Sequence, residues 1–483
     1  MSKPSNNHSS SLNPALDAVV LAAGQGTRMR SARIKVLHTL AGRPILEHML
    51  RLLPPLGVRS TVLVVGYQAD AVAEALRARN LHSSGLRFAT QPEARGTADA
   101  VRCALPALPE ETADESSKVL ILYGDTPLLT AERLQLLIAA SRDCGLALLS
   151  SRVDEPKGYG RIVRSSDGIP QRIVEERDCS EVERRICEIN AGMYVVDSRF
   201  LRRALLRVQA QNAQHEFYLT DLLAQAVTEG IGVAVIDAPA EEIMGINDRQ
   251  DLSRAEAVLR QRINRAHMAR GVTLRDPATT YIEDEVTIGA DTELGPGVVL
   301  RGHCRIGSGC RIDVGCVLTD VVVADDAHLK PYTVASESEL GAGTQIGPFS
   351  HLRPGSVIGA GAHIGNFVEL KQTRVGAGTK ANHLAYLGNA EIGSKVNIGC
   401  GTITCNYDGV SKHQTVIEDD VFVGSDTQLV APVRVGKGAI VAAGTTVTRD
   451  VPPGALTLSR VPQVDKLDYA EALRARLRRS KKQ

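Results

Sequence analysis

The chain has 483 residues, 43% apolar and 23% charged, and a net charge of +1 at neutral pH. Its length suggests about three domains. The charge balance leaves no global basic field for nucleic acid, and no run approaches the ~18 apolar residues of a membrane-spanning helix. Nine cysteines, without a Cys-x-x-Cys pair, read as reduced thiols of a cytoplasmic protein rather than a disulfide framework.

Residues 1–15 are rich in Ser and Asn, lack a signal peptide's apolar segment and are expected to form a disordered tail. Asp17–Ala23 reads as a buried strand running into Gly24-Gln-Gly-Thr-Arg-Met29. Further strands are expected at Ser60–Val65, Lys118–Tyr123 and Ile231–Ile236, with helical patterns between them. This alternation predicts an α/β, Rossmann-like domain over 16–249, with a mostly parallel sheet and ligands at the carboxyl ends of its strands. The Gly24 loop lacks the third glycine of a dinucleotide fingerprint and the Gly-Lys-Ser/Thr of a P-loop. Its backbone N–H groups could still approach a phosphate, with Arg28 and Lys35 supplying charge; alone it fits a tight strand–helix turn equally well. Asp125, at a strand end, suits a hard divalent cation or an Asx turn before Pro127.

Leu252, Ala255, Leu259, Ile263 and Ala266 follow helical spacing within Asp248–Arg270. We read 250–270 as a linker helix, the alternative being a terminal helix packed on the first domain. Residues 271–460 then hold 27 of the 43 glycines. Apolar residues recur every six positions: Ile282, Ile288, Leu294, Leu300, Ile306, Ile312, Leu318; then Val334, Leu340, Ile346, Leu352, Ile358, Ile364, Leu370; then Ile417, Val423, Leu429, Val435, Val441, Val447. That period predicts a hexapeptide-repeat β-helix with one aliphatic inward per short strand, too narrow for rings, which fits an aromatic content of 3% and no Trp. Cys304, Cys310 and Cys316, also six apart, are expected to fill small inward positions rather than to bind metal. The spacing breaks over 371–416, where Lys371, His383, Tyr386, Asn397, Asn406 and Tyr407 suggest a site or an ordinary loop insertion. Residues 461–483 form a basic tail, with six positive charges in Arg474–Lys482.

Several motifs in order carry a resemblance. In the first half they are Leu21-Ala-Ala-Gly-Gln-Gly-Thr-Arg28, Lys35-Val-Leu-His38, Gly96-Thr97, Tyr123-Gly-Asp-Thr-Pro127, Gly158-Tyr-Gly-Arg-Ile162 and Glu188-Ile-Asn-Ala-Gly192. In the second they are Gly365-Asn-Phe-Val-Glu369, His383-Leu-Ala-Tyr-Leu-Gly388, Gly401-Thr-Ile-Thr-Cys-Asn-Tyr-Asp-Gly409, Val423-Gly-Ser-Asp-Thr-Gln428 and Ser459-Arg-Val-Pro-Gln463. Over about 16–463 the chain resembles the bacterial bifunctional N-acetylglucosamine-1-phosphate uridylyltransferases / glucosamine-1-phosphate N-acetyltransferases. The resemblance implies a left-handed parallel β-helix and a homotrimer with acetyltransfer sites between chains. It also implies Mg²⁺, with UTP and acetyl-CoA as co-substrates, and a role in cell-wall and lipopolysaccharide precursor supply.

For uridylyl transfer it implies that Leu21, Ala22, Ala23, Gly24, Gln91, Gly96 and Thr97 hold the nucleotide, with Arg28, Tyr123 and Gly124 in the same set. Lys35 would neutralise phosphate, Asp125 and Asn247 would hold Mg²⁺, and Gly160, Glu175 and Asn190 would hold the sugar. For acetyl transfer His383 would be the general base, a task suited to imidazole's near-neutral titration. Arg353 and Lys371 match phosphate contacts, and Tyr386 and Asn397 sugar contacts. Asn406, Tyr407, Ser425, Ala443 and Arg460 match acetyl-CoA positions. A backbone N–H near residue 400 could stabilise the oxyanion. Departures from the family are Cys400 for alanine, Ile34 for proline, Asn389 for aspartate and His215 for glycine. A monofunctional nucleotidyltransferase with a structural β-helix, and a non-catalytic scaffold, are the competing readings.

Overall fold

The computed structural model describes residues 14–66, 68–81, 85–110 and 117–481. Residues 1–13 of the expected N-terminal tail, and Lys482 and Gln483 of the C-terminal one, lie outside the described residues. Two compact units divide between Arg262 and Ile263.

The first unit is built on strands β1 (Ala15–Ala22), β2 (Ser60–Val65), β3 (Leu86–Thr90), β4 (Ser117–Tyr123), β5 (Leu146–Arg152), β6 (Arg161–Arg164), β7 (Pro170–Val174), β8 (Glu188–Asp197) and β9 (Val233–Asp237). The order is β9-β5-β8-β4-β1-β2-β3, with the β6–β7 hairpin attached through β8. β8 runs antiparallel to β4 and β5, and the other neighbours in that row are parallel. The central strands are buried on both faces, which explains why β1 and β4 read as nearly unbroken apolar runs rather than alternating ones. Ala18, Val20, Leu63 and Leu120 pack on one face under α1 (Ile45–Leu52), α2 (Ala69–Ala78) and α4 (Ala131–Ala140). Val19, Leu21, Val62 and Val119 pack on the other under α3 (Thr97–Ala104), α5 (Ser198–Arg207) and α6 (Asp221–Thr228). From β1 the chain builds β2 and β3 to one side, then returns to place β4 on the other. That reversal opens a crevice at the carboxyl ends of β1 and β4, where a ligand of an open α/β sheet binds.

The helix predicted across the boundary is α7 (Arg249–Ala269). Within the first unit its Ala255 packs with Leu40, Ile45, Leu128 and Ile246. Within the second, Asn264 Nδ2 donates to the carbonyls of Pro277 and Thr280 at 2.9 and 3.1 Å. The predicted apolar stripe drifts at its end: Ala266 is exposed, and Asn264 and His267 are buried instead.

The second unit is a parallel coil whose strands, with two exceptions, are two or three residues long, the left-handed β-helix expected of hexapeptide repeats. Ile282 pairs with Leu300 and Leu300 with Leu318; Ile288 pairs with Ile306 and Leu294 with Ile312, so one coil takes 18 residues. After Leu318 one corner loses a residue, and Val323, Leu329 and Ala335 become the inward positions. Val334, expected inward, is therefore 40% exposed, and Ala335 fills the column between Leu318 and Leu352. The same shortening recurs at Val375 and Ile392, so the coil continues through the segment where the six-residue spacing disappears. The true insertion is shorter, between strands Ile403–Cys405 and Thr415–Ile417.

Cys304, Cys310 and Cys316 are buried, as expected for small inward positions. Burial pushes the Cys316 thiol up to about 11. Threonines occupy equivalent places elsewhere, where Thr379 Oγ1 donates to Gly393 O at 2.7 Å. The basic end carries an exposed helix, α8 (Tyr469–Ser480). No helix among the described residues is long and apolar enough to cross a membrane.

Two candidate active sites

In the first unit two cavities meet at Tyr123 and Asp125. The smaller, about 260 Å³, is bounded by Leu21, Ala22, Ala23, Gly24, Lys35, Gln91, Gly96 and Thr97. The larger, about 420 Å³, is bounded by Arg28, Gly160, Glu175, Asn190 and Asn247. The residues that the resemblance implies for the sugar all line the larger cavity, while Arg28, implied for the nucleotide, lies with them rather than in the smaller one. Gly124 lines neither cavity; a Cβ there would meet Leu46 Cδ1 at 3.0 Å and Ala22 Cβ at 3.3 Å, so its role is close packing at the end of β4. The smaller cavity sits at the sheet's reversal, between the ends of β1 and β4.

Charge is concentrated at the junction. Lys35 Nζ is ion-paired with Asp125, and Arg28 Nη2 donates to Asn247 Oδ1 at 3.0 Å. Asp125 and Asn247 flank Gly245, where a Cβ would lie 4.0 and 3.9 Å from them. The Ile246 N–H donates to Asp125 O at 2.9 Å and ties the two segments together. Two oxygen donors with paired cations nearby suit a hard cation and a polyphosphate, each taking over one partner of the existing pairs.

In the larger cavity, burial foremost and the carboxylates of Asp178, Asp221 and Glu216 next raise the Glu175 carboxyl above its ordinary range. Burial likewise drives the Tyr123 phenol far up, so it remains a neutral hydroxyl. The loop before β6 is held from below. Arg161 is 1% exposed; it contacts Tyr159 O and Glu176 Oε2, the latter at 2.6 Å, and Glu176 accepts the Gly158 N–H at 3.0 Å. That clamp was not foreseen: nothing in Gly158-Tyr-Gly-Arg-Ile162 says its arginine turns inward. Glu216, on the wall of the smaller cavity, was also missed. His215 before it adopts φ +55°, a left-handed conformation natural to glycine, the family's usual residue there.

In the second unit the two longest strands, β10 (His363–Lys371) and β11 (Lys380–Gly388), pair in parallel and set Asn366 opposite His383. His383 Nδ1 lies 3.1 Å from Asn366 Oδ1. On the next coil, Lys380 pairs with Asn397 and Tyr386 with Ile403, so Cys400 holds the register opposite His383. Cys400 O accepts the Asp426 N–H at 2.7 Å, while no acceptor among the described residues takes the Cys400 N–H. The pairings Ile398–Val423–Val441–Thr457 continue this line. They carry Cys400, Ser425, Ala443 and Ser459 along one corner of four coils, with Arg460 beside Gly444. Three coil steps of ~4.8 Å make a track about 14 Å long for an extended ligand.

Basic groups gather beyond β10. Arg353 Nη1 donates to Glu369 Oε1 at 2.9 Å. Lys412 first, and Arg353 after it, push the Lys371 ammonium below its ordinary range, like charges in want of an anion. Lys412 is the residue missed here, hidden in a loop outside the repeat. Tyr386 and Asn406 converge on Gly388, whose Cβ would come 2.5 Å from Tyr386 Oη and 2.9 Å from Asn406 Nδ2. Asn406 Nδ2 donates to Asn389 Oδ1 at 2.6 Å, a contact an aspartate at 389 would make equally well. Tyr407 is 61% exposed, and its hydroxyl donates to Gly409 O at 2.6 Å.

Comparisons with known proteins agree with both halves. A family model described as a MobA-like NTP transferase domain matches residues 18–227. One described as bacterial transferase hexapeptide matches 337–372 and 414–449, and a hexapeptide repeat of succinyl-transferase matches 280–319. The bifunctional protein GlmU of Trichlorobacter lovleyi is 52% identical over 455 residues, 94% of this chain and 97% of that one. That of Sorangium cellulosum is 52% identical over 467 residues, 96% and 98% of the two chains. That of an Exiguobacterium strain is 46% identical over 457 residues, 94% and 99%. With half its residues shared along nearly the whole of both chains, and a nucleotidyltransferase sheet preceding a hexapeptide coil, this chain belongs to the bifunctional GlmU family, uridylyltransferase and N-acetyltransferase in one polypeptide.

Proposed function

We infer that the protein makes UDP-N-acetylglucosamine by acetylating glucosamine 1-phosphate in the β-helix and then transferring a uridylyl group in the α/β unit. In this reading residues 16–249 carry uridylyl transfer, 250–270 link the two activities and 271–460 carry acetyl transfer.

In the uridylyl step a phosphate oxygen of N-acetylglucosamine 1-phosphate attacks the α-phosphorus of UTP, and pyrophosphate leaves with the bridging electron pair. The meeting at Asp125 of a cavity walled by the Gly24 loop, Gln91 and Thr97 with one walled by Gly160, Glu175 and Asn190 carries this reading. The Gly24 loop and Thr97 orient the nucleotide, Asn190 and Glu175 hold the sugar, and the two reacting groups meet at the junction. Such displacement depends mainly on positioning and charge neutralisation. Lys35 and Arg28, paired here with Asp125 and Asn247, turn to the phosphates. Asp125 and Asn247 would hold Mg²⁺, which when bound offsets polyphosphate charge.

In the acetyl step the neutral amine attacks the thioester carbonyl. His383 takes the amine's proton, and the CoA thiolate leaves as the tetrahedral intermediate collapses. The alignment of Asn366, His383 and Cys400 on three coils supports this reading: a base with an oriented ring and a free N–H for the oxyanion. Arg353, Lys371 and Lys412 bind the sugar phosphate. Tyr386 and Asn397 hold the sugar ring. Asn406, Tyr407, Cys400, Ser425, Ala443 and Arg460 guide acetyl-CoA.

A homotrimer belongs to the same reading. Tyr332, Phe349 and Phe367 stack with centroids 5.3 and 5.6 Å apart, each at least half exposed, and Leu384 continues that column beside His383. A second subunit covering this ridge would reach the base. A cytoplasmic location fits nine cysteines that all stand as free thiols. The test is twofold: CoA release must depend on glucosamine 1-phosphate, and pyrophosphate release on UTP and N-acetylglucosamine 1-phosphate. Absence of the first from folded protein refutes the acetyl assignment, and absence of the second refutes the uridylyl one.

A further inference from the structure

Gln91 lies on the wall of the smaller cavity, 6% exposed. Its Nε2 donates to Asp99 Oδ2 at 2.9 Å and to Gly96 O at 3.1 Å. Both partners are acceptors, so the atom between them is the nitrogen, and the amide orientation is fixed by chemistry. The amide has two hydrogens and both are taken. The oxygen, on the opposite side, meets no donor among the described residues. Toward a ligand, Gln91 is therefore an acceptor and nothing else. Asp99 does not line the cavity; it sits in the first turn of α3, where Gly96 caps the helix, and reaches Gln91 from behind.

We propose that Asp99 is a positioning residue that makes the site select a uracil base, by locking Gln91 so that only its carbonyl oxygen faces the nucleotide. The proposal rests on reading this cavity as the nucleotide site. Uracil's base edge carries one donor, N3–H, between two carbonyl acceptors. A fixed acceptor can pair with uracil only at N3–H. Cytosine in the same place presents the N3 lone pair, and two acceptors then face each other in a site partly closed to water. Sites that pair a specific polar hydrogen reject analogues lacking it far more strongly than apolar pockets reject a methylene. Without Asp99 one amide hydrogen is free, Gly96 O alone holds the group, and the flipped amide, which suits cytosine N3, becomes accessible.

The experiment measures pyrophosphate release by the full-length protein with N-acetylglucosamine 1-phosphate and either UTP or CTP. Acetyl transfer in the same preparations reports intact protein. Asp99→Leu and, as a smaller second variant, Asp99→Ala remove the acceptor. The UTP:CTP ratio of kcat/KM should fall about tenfold or more in both, mainly through a higher KM for UTP. The KM for the sugar phosphate should stay within about twofold. Asp99→Asn keeps a carbonyl acceptor and should hold the ratio within about threefold of wild type. An unchanged ratio in either Asp99→Leu or Asp99→Ala overturns the proposal. Gln91→Leu separates it from the underlying assignment. If that variant leaves the KM for UTP untouched, Gln91 does not meet the base and the nucleotide reading of this wall fails. If it raises KM while the Asp99 variants behave as wild type, only the role of Asp99 fails.

Discussion

The assignment of His383 as general base makes Asn366 the residue that sets its tautomer. An amide oxygen can only accept, so with Asn366 Oδ1 toward the ring, as it stands at 3.1 Å, His383 Nδ1 would carry the proton and Nε2 would keep the lone pair that takes the amine's proton. Asn366→Leu removes that acceptor with little change in volume. A neutral hydrogen bond contributes about 0.5–1.5 kcal/mol net, and this one lies on an exposed surface, so the lower half of the range applies. A bias of about 0.5–1 kcal/mol corresponds to a roughly two- to fivefold fall in kcat. CoA release under saturating acetyl-CoA and glucosamine 1-phosphate measures it. The KM for acetyl-CoA should not move, because Asn366 lies two coils away from the 400–425–443 track. Asn366→Asp, which still accepts from Nδ1–H, should restore the rate, whereas His383→Ala should lose at least about 100-fold. An Asn366→Leu enzyme with wild-type kcat, or one whose whole defect is in KM for the sugar, would refute the tautomer argument.

Four other outcomes follow from the geometry. Glu176→Leu leaves the buried Arg161 without its carboxylate and should raise the KM for N-acetylglucosamine 1-phosphate several-fold, with stability reduced by about 1–3 kcal/mol; Glu176→Gln should recover most of it. Gly160→Ala places a Cβ 2.8 Å from Ile173 Cγ2 and 3.3 Å from Glu175 Oε1, and should abolish uridylyl transfer while acetyl transfer persists. Lys412→Ala should raise the KM for glucosamine 1-phosphate without altering that for acetyl-CoA, measured by initial rates at varied sugar phosphate. Burial alone would raise Glu47, but hydrogen bonds from Arg79 and Arg51 outweigh it and hold the carboxyl below its ordinary range. Its stabilisation is thus complete above the unfolded pKa of about 4.3 and lost as pH falls through the lower folded value; urea midpoints between pH 6 and 3 should fall more steeply in wild type than in Glu47→Gln.

How much was legible depended on whether a residue's neighbours share its periodicity. The coil's aliphatic columns were readable because every coil repeats the same steric demand at its inward positions. They failed at Val334, where a corner one residue shorter moves the inward register to Ala335. The first unit's strands were readable as unbroken apolar runs, since burial on both faces removes the alternation. Its ion pairs were not: Arg161 and Glu176, or Glu47 and Arg79, are ordinary charged letters until the fold brings them together. The residues proposed for the two sites were read from motifs through resemblance, whereas the pairing of Asn366 with His383 within one such motif set, and Asp99 and Lys412 outside the motifs, carry no periodic signal of their own.

The coil also explains why its proposed site lies where its spacing is least regular. A six-residue repeat with an inward aliphatic leaves only outward positions for chemistry, and one strand offers just one or two of them. Lengthening two neighbouring strands to nine residues each, His363–Lys371 and Lys380–Gly388, keeps Leu370 and Leu387 in the column while adding outward-facing places such as Asn366 and His383. Insertion of the Asn406–Lys412 loop then supplies groups that no coil position could present. Coils on either side stay regular and hold these segments in register, so the rigidity a catalytic constellation needs comes from the repeat and its functional groups from departures from it. Leu370→Ala should therefore cost about 2–5 kcal/mol of stability, because Leu370 is fully buried under β11. It should also lower acetyl transfer in the surviving folded fraction, since β10 carries Asn366 and Lys371. A variant with that loss of thermal stability but an unimpaired kcat per folded molecule would show that the site does not depend on the column beneath it.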